Sequence, residues 1–204
     1  MSTAVQQGGG QITLRGSVTV VTEFFAFAIN SILYQRGVYP ADSFQKVTRY
    51  GLPLLVTQDN ALKTYLGQVL GQITEWLLGS AVQKLVLVIA DQASGTNIER
   101  WVFDLEADGT AATGGKATTY NDKECQAQIS SIMRQVSASV SFLPLIDAPC
   151  TFDLLVYARG DTAVPQTWEN SDPKLIVNST QVKLRSFTTS VHRVDTSVCF
   201  RDTN

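Results

Sequence analysis

The sequence predicts an α+β domain, with an antiparallel or mixed sheet carrying its helices on one face. Three stretches repeat apolar residues at steps of three and four, the spacing of one helix face. Five others are short and branched or alternating, and Gly or Pro punctuates them as it does strands. The strands crowd toward the C-terminal end.

The first helix begins at Ser17, the expected N-cap, and stops at Gly37 and Pro40. Val18, Val21, Phe25, Ala28 and Ile32 form its stripe, and Phe24, Phe27, Ile29 and Leu33 widen it. So wide an apolar face implies a helix buried nearly all round, the pillar of its domain. A second helix runs from about Asp59 to Leu78, capped by Thr57 or Asp59, with Gly79 at its C′ position. Leu62, Leu66, Val69, Ile73, Trp76 and Leu77 face inward.

The period then changes. Residues 82–90 are apolar and branched, as expected of a covered strand. After a turn at Ser94-Gly95, residues 98–106 alternate with Trp101, Phe103 and Leu105 on one side, completing a hairpin. Small, polar and Gly-rich residues over 107–121 predict a surface loop. The third helix starts near Asn121 or Asp122 and ends before Pro144, with Ile129, Ile132, Met133, Val136 and Val140 inward. Residues 152–158 form another strand, between Pro149 and Gly160-Asp161.

The last stretch is unusual. Residues 160–181 lack periodicity yet carry Trp168, Leu175, Ile176 and Val177, so this long connection is expected to pack. Two strands follow, over 182–191 with Leu184 and Phe187, and over 192–200 with His192, Val194, Thr196, Val198 and Phe200 alternating. Taken alone, this tail reads either as a fixed sheet-edge hairpin or as a segment with two pairings.

Composition narrows the function. At 204 residues with 44% hydrophobic content, one domain with a sizeable core is expected. A net charge of −2 without any basic run excludes broad attachment to phosphate backbones or anionic lipid, so neither nucleic acid nor membrane is an expected partner. Residues 1–11 form a polar, Gly-rich tail without the pattern of a signal peptide, and the apolar run 85–90 is strand-sized rather than membrane-spanning. Cys125, Cys150 and Cys199 are odd in number and widely spaced, which reads as reduced thiols inside the cell, so the sequon at Asn178-Ser179-Thr180 is expected to go unused.

Chemistry finds no carrier. A lone histidine, His192, cannot build a metal cluster with three scattered cysteines. Gly114-Gly115-Lys116-Ala117 lacks the Ser or Thr of a phosphate loop, and Asp104 with Glu106 reads as a wet strand face. No catalytic residue, cofactor or metal is expected, and the chain is not read as an enzyme.

Seven stretches together resemble a known family: ITLRG at 12–16, FFAFAINSILYQRGVY at 24–39, AVQKLVLVI at 81–89, ERWVFDL at 99–105, FLPL at 142–145, FDLLVY at 152–157 and LRSFTT at 184–189. They resemble HORMA domains, and among these the spindle assembly checkpoint members. The region 34–40 alone would also fit the HORMA subunit of translesion polymerase zeta. The resemblance implies a HORMA domain over 12–204, with a mostly antiparallel sheet backed by three helices. It also implies a mobile safety belt over about 160–204, which closes over a partner peptide or, in an open conformer, covers the edge where that peptide would sit. The peptide would join the strand carrying Phe152, Leu154, Leu155, Val156 and Tyr157. Belt and switch positions would include Trp76, Trp168, Leu184, Phe187, His192, Val194 and Val198. Arg134, Gln135 and Phe142 match the surface through which open and closed copies pair.

The partners so implied are the co-activator of the anaphase-promoting complex, a coiled-coil kinetochore receptor of the mitotic-arrest-deficient type, and a second copy in an open-closed self-dimer. An AAA+ remodelling ATPase with a HORMA-like adaptor would act on the N-terminal tail. Nucleus, kinetochore and cytoplasm are the implied locations.

Overall fold

A computed structural model describes residues 12–107 and 120–201. The N-terminal tail and most of the loop expected over 107–121 lie outside these described residues. Helix α1 (Leu14–Gln35) starts a turn earlier than its sequence pattern suggests. Thr13 is its cap, its Oγ1 accepting the Gly16 N–H at 3.1 Å. Ser17 lies inside the helix instead, and its side chain is buried. Val21, Phe24, Phe25, Ala28, Ile29, Ile32 and Leu33 have no solvent exposure, so α1 is the expected pillar. By length and composition α1 could cross a membrane, a helix the sequence reading did not weigh when it took 85–90 as the longest apolar run. Most of it is covered, by α2, α3, β2 and β7.

A small antiparallel hairpin follows, β1 (Phe44–Arg49) and β2 (Leu52–Thr57), which the sequence reading passed over. Its turn residues Tyr50 and Gly51 have φ of 53° and 69°, the two left-handed positions of a tight hairpin turn. Helix α2 (Asn60–Leu78) uses both expected caps: the Asp59 carboxylate accepts the Leu62 N–H at 2.7 Å, and Thr57 Oγ1 accepts the Asp59 N–H at 3.1 Å. Gly79 does not take the left-handed role assigned to it. Its φ is −84°, and Ser80 turns the chain with φ 53°.

The main sheet has the order β5-β3-β4-β7-β6 and is antiparallel throughout. Its strands are β3 (Val82–Asp91), β4 (Asn97–Ala107), β5 (Cys150–Ala158), β6 (Ser179–Thr188) and β7 (His192–Arg201). Alternation sends Leu85, Leu87, Ile89, Trp101, Phe103, Leu154, Val194 and Val198 into the core under the helices. Val86, Val88 and Val102 pack with Leu155 and Tyr157 on the other face. Central β3 is thus covered on both sides, which explains why 85–90 reads as unbroken apolar sequence. Helix α3 (Asp122–Ala138) ends one turn sooner than its apolar stripe suggests and passes into a 3₁₀ turn. Val140 consequently points outward, at 43% exposure, and Leu143 is buried just beyond it.

Candidate functional site: a sheet edge under a strap

Strand β5 forms one end of the sheet and, among the described residues, pairs only with β3. Its backbone groups on the outer side therefore have no strand partner, the chemistry of an edge that can accept another chain. Phe152, Leu154 and Val156 point to the helix side, where the Phe152 ring meets Tyr39 and Tyr65 at centroid distances of 6.1 and 5.8 Å. Leu155 and Tyr157 point to the opposite face.

Residues 159–178 wrap round this edge. They leave β5 with the Arg159 N–H donating to Ala81 O at 2.9 Å. On the helix side, Trp168 lies edge-on to Trp76 at 4.8 Å, while Trp76 Nε1–H donates to Ala163 O at 3.1 Å. On the other face, the Pro173 carbonyl accepts from Arg100 Nε at 3.2 Å, and the Lys174 ammonium pairs with the Asp153 carboxylate. The strap then enters β6. Between strap and strand lies a cleft of about 240 Å³, lined by Leu154, Leu155, Val156, Tyr157, Trp168 and residues 169–173. The expectation that Leu175 and Val177 pack is corrected: they are 65% and 75% exposed. Only Trp168 and Ile176 of that apolar set are partly covered.

The β6–β7 hairpin docks far from this edge, on β4. Phe187 is 1% exposed and meets Phe24 edge-on at 4.9 Å. Val194 and Val198 are fully buried, and Leu184 is partly so. The hairpin turn is pinned to α1 by hydroxyl groups: Ser17 Oγ lies 2.5 Å from Thr189 Oγ1 and 2.7 Å from His192 Nδ1. Thr189 Oγ1 also accepts the His192 N–H at 2.9 Å. Burial holds the His192 imidazole below its usual range, so the folded state binds this proton less readily than the unfolded chain. Stability from neutral His192 is complete above about pH 6.5 and is lost as pH falls below it. His192→Gln should flatten that part of the melting-temperature profile between about pH 7 and pH 5. An unchanged slope would refute the assignment.

The three positions matched to self-association are placed unequally. Arg134 is exposed, and so is Phe142 at 43%. Gln135, read as an outer-side residue, turns onto the molecule's own sheet: its Oε1 accepts the Arg185 N–H at 2.7 Å. Gln128 does the same for the Thr188 N–H at 3.1 Å. Seven helical residues span about 10 Å, as do three strand residues, so two glutamines two turns apart match β6 amides three apart. Gln135→Ala should therefore raise hydrogen exchange at the Arg185 amide about fivefold, from losing roughly 1 kcal/mol of hydrogen bonding. Unaltered protection there would refute it.

Sequence reading missed Arg36, Glu99, Arg100, Asp153 and Lys174. Arg36 and Glu99, 8% and 0% exposed, pair through Nε–Oε1 at 2.8 Å and Nη2–Oε1 at 2.5 Å. Arg36 also donates to Pro144 O at 2.5 Å, and Trp101 Nε1–H donates to Glu99 at 3.2 Å. Burial pushes the Glu99 carboxyl up, and Arg36 opposes that shift. No signal in one sequence marks residues 63 apart as partners.

An open strand edge, a strap around it and a docked C-terminal hairpin define a class of domain that takes in extended segments. The HORMA domain family model matches residues 17–192, and the chain belongs to that family. Within it, the chain is 54% identical to the mitotic spindle assembly checkpoint protein MAD2A of Dictyostelium discoideum over 95% of both chains. It is 50% identical to the human protein of that name over 93% of each. A chain from the crystal structure of the mitotic checkpoint complex superposes with a TM-score of 0.84 at 41% identity, covering 92% of this chain and 99% of that one.

Proposed function

We propose that the chain is a spindle assembly checkpoint adaptor, not an enzyme, which traps a partner's extended segment against β5 and beneath the strap. The observation that carries this is the cleft between the outer edge of β5 and residues 168–173. A segment seated there adds a strand: its backbone supplies the missing partners of the β5 edge, and alternate side chains reach the cleft walls. Main-chain pairing gives affinity with loose sequence demand. The strap then blocks departure, so release is slow whatever the contact area.

Entry requires the strap to open, and the β6–β7 hairpin is the element able to let go. The described arrangement is the closed one, with the hairpin on β4; in an open conformer the hairpin covers the β5 edge instead. The clients are the co-activator of the anaphase-promoting complex and a coiled-coil kinetochore receptor. Closed copies recruit open ones through the exposed Arg134 and Phe142. An AAA+ ATPase with a HORMA-like adaptor reopens the belt by acting on residues 1–11. The names of the relatives support checkpoint clients over a polymerase peptide, and they support a role at kinetochores and in nucleus and cytoplasm.

Ion exchange of the pure protein tests the switch. Two interconvertible peaks should merge into one when a co-activator peptide is added; a single peak indifferent to peptide would end the proposal. Arg134→Glu should leave peptide binding intact and give a monomer by size exclusion with light scattering, and a dimer would show that the pairing surface lies elsewhere.

A further inference from the structure

The strap is tied across the cleft at two consecutive residues, Pro173 and Lys174, with Asp172 shaping the turn. Asp172 Oδ1 accepts the Lys174 N–H at 3.1 Å, a local turn that holds Lys174 at φ 45°, where residues with a side chain seldom sit. The Pro173 carbonyl accepts from Arg100 Nε at 3.2 Å, and Arg100 Nη2 donates to the Tyr157 hydroxyl at 3.1 Å. The Lys174 ammonium reaches the Asp153 carboxylate. Tyr157 and Asp153 belong to β5, one wall of the cleft, whereas Pro173 and Lys174 belong to the strap, the other wall. Arg100 on β4 thus links the Tyr157 hydroxyl of one wall to the Pro173 carbonyl of the other, the Lys174–Asp153 pair joins the walls directly, and the Asp172 bond shapes the turn.

Arg100 is the unusual member. It is 8% exposed on β4 and has no carboxylate partner among the described residues. Buried guanidinium groups ordinarily pair with carboxylates. This one is instead divided between a strand hydroxyl and a strap carbonyl, an arrangement that holds only while the strap lies across the sheet.

We infer that Arg100, with the Asp153–Lys174 pair, is the buckle of the strap: these positioning residues set how fast a captured segment is released, without contributing to its recognition. The inference rests on the capture reading above. Lys174 and Asp153 are 28% and 49% exposed, so their pair contributes less than the buried arginine.

The test follows release of a fluorescein-labelled peptide of the anaphase-promoting-complex co-activator from the full chain, chased with unlabelled peptide. Arg100→Gln should speed release about tenfold or more, the effect of losing charged hydrogen bonds. Lys174→Gln and Asp153→Asn should each speed it about two- to fivefold, the double variant doing no more than either alone. The swapped pair Asp153→Lys with Lys174→Asp should recover slow release. Tyr157→Phe, which removes one hydroxyl and no charge, guards against an Arg100 variant that fails to fold, and should speed release about threefold. Association rates should stay within about twofold in the Arg100, Asp153 and Lys174 variants. Wild-type release rates in Arg100→Gln, Lys174→Gln and Tyr157→Phe, with peptide still bound, would overturn the buckle alone. Failure of the wild-type chain to retain the peptide at all would overturn both this inference and the capture reading.

Discussion

Phe187→Ala is expected to destabilise the protein by about 3–5 kcal/mol, and the loss should fall on one conformer. Phe187 is the aromatic plug by which the C-terminal hairpin reaches the core, against Phe24 and within the cluster that holds Phe25 and Phe103. A hairpin that has left β4 no longer depends on that plug. A penalty of about 3 kcal/mol confined to the docked state would move the ratio of conformers more than a hundredfold toward the undocked one. Urea titration should show a lower midpoint at unchanged slope, and ion exchange should show the closed peak vanish without peptide. If the two peaks keep their ratio while the midpoint falls, Phe187 is an ordinary core residue and the hairpin is not the moving part.

Breaking the Arg36–Glu99 pair should cost about as much, roughly 3–5 kcal/mol, for a different reason. Arg36→Ala leaves a carboxylate with no solvent exposure and only the Trp101 N–H for company. It also frees the Pro144 carbonyl, loosening the connection between α3 and β5. The pH dependence has a definite sign. Burial already raises the Glu99 pKa, and removing Arg36 raises it further, so the folded variant takes up a proton more readily than its unfolded chain. The deficit should be largest at neutral pH and shrink as pH falls toward about 5. Replacing both residues with apolar ones of similar volume should recover most of the loss. A single substitution that costs under about 1 kcal/mol would show that water reaches Glu99.

Much of this architecture can be read from periodicity because the core elements are long and one-sided. The stripe Leu62, Leu66, Val69, Ile73 and Leu77 places α2, and the alternation of Trp101, Phe103 and Leu105 places β4. Features decided by other forces were missed. The β1–β2 hairpin alternates poorly and carries Pro53, so only the Tyr50-Gly51 turn announced it. Val140 fitted the helical spacing of α3 but fell in the 3₁₀ turn, where that spacing no longer applies. Leu175 and Val177 are apolar and yet exposed, because the strap lies on the sheet through backbone carbonyls and charges. The edge strand and belt positions came from resemblance to HORMA domains, while Arg100, Asp153 and Lys174 needed coordinates, since each matters through a partner distant in sequence.

Because the strap is anchored in β5 at one end and β6 at the other, it makes a closed ring with the sheet. A chain passing through a ring can enter end-first or when the ring is cut. A client segment flanked by folded domains has no free end narrow enough for the first route. On the proposed reading, its exchange would be timed by how often the strap unbuckles and the hairpin peels from β4, a property of this protein and not of the client. Clients of unequal strength would share one departure clock, and adding competitor would not hasten it.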